Sequence, residues 1–202
     1  MIRTVISDLG RVVLWFDNNV FLRKLADRAG KPFDQVKAAV HGDLELLRRF
    51  DAGAITAADF SVRVMTIVGA RMSCGDFCAI YDDIFTPNPA AIDVLARVKA
   101  AGYKLLLLSN TDPERFGFIL RTFPAVGLFD GHVLSYELHL LKPDPAIYLA
   151  AARQAGCEPA ECVFIDDMEE NVTAAVATGL AGIHYTPETD LEAELKKLGL
   201  RF

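Results

Sequence analysis

The spacing of apolar positions changes along the chain and divides it into two kinds of segment. Between residues 17 and 85 apolar residues recur at intervals of three and four, which predicts helices. The predicted helices cover residues 19–29, 33–40, 44–50 and 57–68. Glycines separate the first of these segments from one another, as is common where helices end. We therefore expect this part of the chain to be helical almost throughout.

The remaining sequence alternates between short apolar runs and helical stretches. Apolar runs of strand length, several of them rich in β-branched residues, lie at residues 4–6, 103–108, 132–134 and 163–165. Helical spacing returns between them, for example over residues 90–101 and 113–121. Alternating strands and helices are typical of right-handed βαβ units. The chain is predicted to be an α/β protein, with a Rossmann-like doubly wound parallel sheet and a helical insertion after the first strand.

Polar residues follow each predicted strand. The segments are Asp8-Leu9-Gly10, Ser109-Asn110-Thr111, Lys142-Pro143 and Asp166-Asp167. Active sites of open α/β sheets lie at the carboxyl ends of the strands, so these side chains are expected to meet there. A carboxylate nucleophile, a hydroxyl with backbone amides, a lysine and a carboxylate pair for a hard cation are together what phosphoryl transfer requires.

In this order and spacing the motifs resemble those of the haloacid dehalogenase superfamily of phosphohydrolases. The matching segments are Asp8-Leu9-Gly10-Arg11-Val12, Leu108-Ser109-Asn110-Thr111, Lys142-Pro143 and Phe164-Ile165-Asp166-Asp167. The resemblance covers nearly the whole chain and is greatest to the branch that contains α-glucose-1-phosphate phosphatase and the amino-terminal domain of soluble epoxide hydrolase. It implies a catalytic core of residues 1–16 and 86–202, and a small helical cap of residues 17–85.

The resemblance also implies roles for the polar residues. Asp8 would attack the phosphorus of a bound monoester and form an aspartyl phosphate. Ser109 and the backbone amides of Asn110 and Thr111 would hold phosphate oxygens, and Lys142 would neutralise the charge that nucleophile and phosphate share.

A magnesium site is implied at the same place. Its ligands would come from Asp8, the main-chain carbonyl of Gly10, and the pair Asp166 and Asp167, with Asp167 as the direct ligand of that pair by family analogy. Mg²⁺ suits such a site because it is a hard cation that binds few protein oxygens and keeps its waters. Asn171, one helical turn beyond Asp167, is expected to orient that carboxylate or a bound water.

Gly10 departs from the commonest pattern of the superfamily, in which a second aspartate serves as general acid and base. Such help is worth about 10²–10⁴-fold in rate, so an enzyme without it should prefer esters with good leaving groups. A sugar 1-phosphate has one, since its anomeric oxygen leaves more easily than an ordinary alcohol. Substitute proton donors are available at His41, Asp43 and Glu45 of the cap and at Asp17 at its root.

Three functions remain open. The favoured one is an Mg²⁺-dependent phosphatase of a small phosphorylated metabolite. A phosphate-binding protein with weakened catalysis is the second, because of Gly10. The third is a metal-independent 2-haloacid dehalogenase, although that branch usually has an aromatic residue where this chain has Gly10, and the pair Asp166 and Asp167 favours a metal site.

Composition limits the possible partners. The chain has 202 residues, is 52% hydrophobic and carries a formal net charge of -6, which argues against nucleic acid as a partner. No apolar run reaches the ~20 residues needed to span a bilayer, and the amino terminus lacks a signal-like segment, so we expect no membrane association and a cytoplasmic enzyme. The cysteines Cys74, Cys78, Cys157 and Cys162 lack a metal-site pattern and are expected to be free, buried thiols.

Overall fold

The predicted alternation of strands and helices is present in the computed structural model, which describes residues 1–202. The strands are β1 (Thr4–Ser7), β2 (Leu14–Phe16), β3 (Phe85–Pro87), β4 (Lys104–Ser109), β5 (Gly131–Leu134), β6 (Cys162–Asp166) and β7 (Ala181–His184). The helices are α1 (Asn18–Ala29), α2 (Phe33–His41), α3 (Leu44–Asp51), α4 (Ala57–Val68), α5 (Cys74–Asp82), α6 (Pro89–Ala100), α7 (Pro113–Thr122), α8 (Ser135–Leu138), α9 (Pro145–Ala155), α10 (Glu169–Ala177) and α11 (Leu191–Lys197). Short 3₁₀ turns occupy Pro124–Leu128 and Pro159–Glu161.

Five strands form one parallel sheet in the order β5-β4-β1-β6-β7. Strand β1 lies at the centre, with Ser7 opposite Leu107 of β4 on one side and Ile165 of β6 on the other. The strand order reverses at β1, and the crevice at such a reversal is where α/β sheets bind their ligands. This register brings Asp8, the residue after β1, between the carboxyl ends of β4 and β6.

Apolar side chains cover both faces of the sheet, which confirms the doubly wound fold. On one face Val5, Leu105 and Ile165 belong to a buried cluster that includes residues of α6, α7 and α11. On the other face Ile6 and Phe164 belong to a cluster with residues of α9 and α10. Strands buried on both faces are nearly continuously apolar, which is why β4 reads as a run of leucines.

The helical insertion has a buried core of its own. Helices α1 to α5 occupy the sequence between β2 and β3, and their inward side chains form a third apolar cluster. Its centre is aromatic: the rings of Phe50 and Phe60 stack with centroids 4.3 Å apart, and Tyr81 packs against both. Burial of such large side chains stabilises a small helical unit.

One helix of the insertion was not among the four predicted. Helix α5 begins after Ser73, whose hydroxyl accepts a hydrogen bond from the Asp76 amide, and it ends at Asp82. It buries Phe77 and Tyr81 in the aromatic centre. The cap at Ser73 is the signal that identifies this helix, because serine favours the position before a first turn.

Strands β2 and β3 form a separate antiparallel pair at the two ends of the insertion, with Phe16 opposite Phe85. No helix of the chain has the length and apolar character needed to cross a membrane. The four cysteines are free, as expected, but only Cys162 is buried; Cys78 and Cys157 are half-buried and Cys74 is exposed, so the expectation of buried thiols was wrong for these three.

Candidate active site

Asp8, Lys142 and Asp166 form a buried charge cluster at the carboxyl edge of the sheet. The Lys142 ammonium lies 2.7 Å from Asp8 Oδ1 and 2.7 Å from Asp166 Oδ2. The side chains are 3% exposed for Lys142, 11% for Asp8 and 0% for Asp166, so solvent screens these contacts little. Only Asp8 among the three retains appreciable access from the cavity.

Asn110 holds the main chain of Lys142 in place. Its side-chain amide donates to the Lys142 carbonyl at 3.0 Å, and its side-chain oxygen accepts from the Lys142 amide at 2.8 Å. The Asn110 side chain is therefore committed to positioning the lysine. Sequence reasoning assigned it only a phosphate-binding amide, because a contact across 32 residues has no local signal.

Asp166 has both of its carboxylate oxygens occupied. Oδ2 pairs with Lys142, while Oδ1 accepts from the Met168 amide at 2.8 Å and from the Asn171 side chain at 3.0 Å. Asn171 thus orients Asp166, whereas we expected it to orient Asp167 or a bound water. A fully buried carboxylate with this set of donors is a structural anchor for Lys142.

Asp167 is the member of the acidic pair with free oxygens. Its side chain is 22% exposed, and its one ion pair is a 3.8 Å contact with Arg11 Nε. Ligand atoms of Asp8, Asp166 and Asp167 lie within 4.8 Å of one another, and the Gly10 carbonyl accepts no hydrogen bond from the protein. Hard oxygen donors at this separation suit Mg²⁺.

Burial dominates the electrostatics of the cluster. It raises the pKa of Asp8 to about 7, with Lys142 opposing the shift and Asp166 adding to it. Burial also acts to lower the pKa of Lys142, but the Asp8 and Asp166 carboxylates outweigh it and the pKa rises. Desolvation, reinforced by Asp166, raises the pKa of Asp167. A cation at this site would relieve the repulsion among the carboxylates.

Ser109, Asn110 and Thr111 line the same cavity, as expected of a phosphate-binding segment. The Thr111 amide, however, donates to the Ser135 hydroxyl at 2.9 Å and is buried. The Thr111 backbone amide is already paired in this structure. The remaining donors for a phosphate oxygen are therefore the Ser109 hydroxyl and the Asn110 backbone amide. The partner, Ser135, comes from α8 and had no signal in the sequence.

The space beside Gly10 is filled by an aromatic ring. A Cβ built on Gly10 would lie 2.8 Å from Cε1 of Phe16 and 3.9 Å from Oδ2 of Asp8. The backbone at Gly10 does not have a positive φ; the left-handed residue of this turn is Arg11, with φ 57°. A side chain at position 10 is therefore opposed by Phe16 and not by the backbone.

The site opens into a cavity of about 520 Å³ lined by residues of both the sheet edge and the insertion. Two charged residues that sequence reasoning missed face it, namely Asp51 at the end of α3 and Arg115 in α7. Arg48 and Arg49 of α3 are exposed, and neither lines this cavity.

The proton donors suggested by the sequence lie elsewhere. His41 and Asp43 line a separate cavity of about 90 Å³ inside the insertion. Glu45 is exposed on α3, and Asp17 caps α1 by accepting from the Asn19 amide at 2.8 Å. None of the four lines the cavity that contains Asp8.

Comparison with known families agrees with this geometry. Residues 7–179 match the family model described as haloacid dehalogenase-like hydrolase. This match, together with the doubly wound sheet, identifies the protein as a hydrolase with a Rossmann-like α/β fold. The chain belongs to the haloacid dehalogenase-like hydrolase family, which confirms the resemblance to that superfamily drawn from its motifs.

Several curated relatives are phosphatases. The chain is 30% identical over 112 residues to the sesquiterpene phosphatase astK of Aspergillus oryzae, covering 55% of this chain and 57% of that protein. It is 29% identical over 162 residues to a phosphoglycolate phosphatase of Pseudomonas putida, covering 78% and 58%. A flavin mononucleotide hydrolase of Arabidopsis thaliana is 39% identical over 59 residues, 29% of this chain and 24% of that protein. The matched segments therefore span less than two thirds of these relatives.

Solved structures share the fold. A HAD family enzyme of Bacteroides thetaiotaomicron, bt-2542, crystallised as a magnesium complex, superimposes with a TM-score of 0.83 at 23% identity, covering 96% of this chain and 98% of that one. L-2-haloacid dehalogenase of Xanthobacter autotrophicus superimposes with a TM-score of 0.69 at 18% identity, covering 98% and 83%. At these identities the likeness concerns the fold alone.

Proposed function

We propose that this protein is an Mg²⁺-dependent phosphomonoester hydrolase that works through an aspartyl phosphate. The observation that carries the proposal is the buried cluster in which Lys142 contacts Asp8 at 2.7 Å beside the free carboxylate of Asp167. Phosphatases among the curated relatives support the same reaction class. The substrate would be a small phosphorylated metabolite, with neither nucleic acid nor membrane as a partner.

Each residue has a distinct part in the proposed reaction. Asp8 supplies the attacking oxygen, and its attack on phosphorus forms the aspartyl phosphate while the alcohol leaves. Lys142 balances the negative charge of nucleophile and phosphate, and Asp166 keeps the ammonium in place. The Ser109 hydroxyl and the Asn110 backbone amide bind phosphoryl oxygens, and Thr111 forms part of the pocket wall. Water then attacks the intermediate and releases inorganic phosphate.

Asp8, Asp167 and the Gly10 carbonyl would hold the Mg²⁺. When bound, the ion neutralises charge on the phosphoryl oxygens and on the carboxylates. Asp166 belongs to the expected ligand set, but its oxygens are occupied by Lys142, Met168 and Asn171. We therefore assign Asp166 an indirect role, through the orientation of its neighbours.

Residues 17–85 would act as the cap that selects the organic half of the substrate. A sugar phosphate, and in particular a sugar 1-phosphate, fits the absence of a side chain at Gly10, because its leaving group needs less protonation. The branch that includes α-glucose-1-phosphate phosphatase remains part of this proposal.

A second class of substrate is favoured by the smaller cavity in the insertion. Most of its lining is apolar, and it shares Asn18, Leu47 and Arg115 with the cavity above Asp8. Part of an apolar group attached to the phosphate would find a matching surface there, which is consistent with the name of one relative, a sesquiterpene phosphatase. An isoprenoid monophosphate is therefore included beside the sugar phosphates.

A phosphate-release assay on pure protein tests the proposal. The panel contains glucose 1-phosphate, glucose 6-phosphate, phosphoglycolate, flavin mononucleotide and farnesyl monophosphate, each with Mg²⁺ and with chelator. We expect Mg²⁺-dependent release from at least one ester. Release from none would favour a phosphate-binding protein, and halide release from 2-chloropropionate in the presence of chelator would favour a dehalogenase.

A further inference from the structure

The cavity above Asp8 contains one carboxyl group that the proposed steps leave unused. Asp51 lines it from the cap side, at the last residue of α3, whereas Asp8 and Gly10 line it from the sheet edge. The motif resemblance implies an acid at position 10, where this chain has glycine, and Phe16 occupies the space next to it. Asp51 is thus a carboxyl group available from the opposite wall.

The backbone of Asp51 is fixed to the phosphate-binding segment. The Ser135 hydroxyl donates to the Asp51 carbonyl at 2.5 Å. The hydroxyl oxygen of Ser135 also accepts a hydrogen bond from the Thr111 backbone amide at 2.9 Å. The next residue, Ala52, has its carbonyl 2.8 Å from Nδ1 of His139. One fully buried serine therefore connects the cap residue to the loop that would hold the phosphate.

The Asp51 carboxyl group itself has no hydrogen bond and no ion pair within the protein. The nearest cation, Arg115, stacks its guanidinium 3.7 Å from the ring centre of Tyr81 and donates to the Tyr81 carbonyl. The other titratable groups that face Asp51 are Asp112, before α7, and Tyr81 of α5. Burial raises the pKa of Asp51 to about 7, with Arg115 opposing and Asp112 adding to the shift.

We propose that Asp51 is the acid–base residue of this enzyme and replaces, from the cap, the carboxylate that Gly10 lacks. The proposal rests on the proposed phosphatase function. In the first step the Asp51 carboxylic acid gives its proton to the ester oxygen as the bond from phosphorus to that oxygen breaks and the bond to Asp8 forms. In the second step the Asp51 carboxylate takes a proton from water as the water oxygen bonds to phosphorus and the Asp8–phosphorus bond breaks.

This assignment changes the leaving-group dependence expected of an enzyme with glycine at position 10. With a proton donor in the cap, the wild-type protein should depend only weakly on the leaving group. Loss of Asp51 should make that dependence steep, because an alkoxide needs protonation far more than a phenolate does. A residue that merely shapes the cavity or binds the phosphate would affect both kinds of ester alike.

The test compares Asp51→Asn with wild type on an aryl phosphate and an alkyl phosphate. We expect kcat/KM to fall ~10²-fold on the alkyl ester and by less than about threefold on the aryl ester. The decline of alkyl-ester activity as pH rises through about 7 should disappear, because that limb reports ionisation of the acid. Asp51→Glu should recover part of the alkyl-ester activity. Glu45→Gln, an exposed residue of the same helix, is the matched control and should leave both activities unchanged.

The possible outcomes separate this inference from the proposed function. Equal losses on both esters, or no loss on either, would overturn the role of Asp51 while Asp8- and Mg²⁺-dependent turnover still stands. A wild-type protein that releases phosphate from no ester would overturn the phosphatase itself. Circular dichroism and thermal melting of each variant show whether the fold is retained.

Discussion

The side chain of Asn110 and the main chain of Lys142 exchange two hydrogen bonds, of 3.0 Å from the amide nitrogen and 2.8 Å to the amide oxygen. This pairing ties the loop after β4 to the segment between α8 and α9, and so fixes the lysine that contacts Asp8. The site depends on it because a displacement of about 1 Å in catalytic geometry can cost on the order of 10²-fold in rate.

Asn110→Ala should therefore weaken catalysis without changing the fold. The variant leaves the Lys142 amide and carbonyl unpaired, and we expect kcat to fall roughly 10- to 100-fold with a smaller change in KM. Steady-state kinetics measure both constants. Asn19→Ala removes an asparagine that bonds only within the start of α1 and serves as control. A kcat within twofold of wild type would show that Lys142 is held in place without Asn110.

Asp8→Asn should abolish turnover, because the amide has nearly the same shape but is a poor nucleophile. We expect a loss of at least ~10³-fold in kcat for the best ester found. Trapping of labelled phosphate on the wild-type protein, and its absence from the variant, checks the covalent step. Activity of Asp8→Asn within a few fold of wild type would rule out the aspartyl phosphate.

Asp167→Ala should raise the Mg²⁺ concentration needed for activity and leave stability nearly unchanged. Asp167 is partly exposed and makes one long ion pair, so little folding energy depends on it. Titration of activity with Mg²⁺, together with a thermal melt, measures both effects. Glu169→Ala is the control, since Glu169 is exposed in the first turn of α10. A larger Mg²⁺ effect in the Glu169 variant would show that the wrong carboxylate was chosen.

Much of the fold follows from local patterns in the sequence. The apolar runs around Val5, Leu106 and Phe164 identify the strands, and strand ends identify Asp8 and Asp166, because the carboxyl edge of a parallel sheet is a consequence of topology. Helix α5 was missed since its cap at Ser73 is a weaker signal than a long apolar period.

The cap side of the site had no such local signal. Asp51 reaches the cavity only because Ser135 contacts its carbonyl and the aromatic core orients α3, and both contacts join residues distant in sequence. Helical periodicity states which face of a helix is buried, but not where its last residue points.

Gly10→Asp should destabilise the protein through Phe16. The new Cβ would approach Cε1 of Phe16 to 2.8 Å, and forcing a ring aside in a packed site costs about 1–3 kcal/mol. Urea unfolding measures that loss. In the double variant that combines Gly10→Asp with Phe16→Leu, the smaller side chain should remove part of this destabilisation. The expected coupling free energy between the two substitutions is about 1 kcal/mol. Additive effects of the two substitutions would show that Phe16 is not the obstacle, since the backbone at Gly10 has no positive φ.

Asp51→Asn should stabilise the protein above neutral pH, at the same time as it impairs hydrolysis of alkyl esters. The pKa of Asp51 is raised from 3.8 to about 7, so the folded protein binds this proton more tightly than the unfolded chain does. The stability associated with the protonated form is complete below pH ~4 and is lost as pH rises through about 7.

Asparagine does not ionise, and the Asp51→Asn variant escapes this loss. The free energy of unfolding of the variant relative to wild type should therefore increase between pH 5 and pH 8 by at most about 3 kcal/mol, since the part of the pKa shift that lies below pH 5 falls outside that range. Urea unfolding of both proteins at each pH measures the difference, and other titrating groups cancel because they are common to both. A difference that is the same at pH 5 and pH 8 would mean that Asp51 ionises as freely in the folded protein as in the unfolded chain, and its use as a proton donor near neutral pH would then have no electrostatic basis.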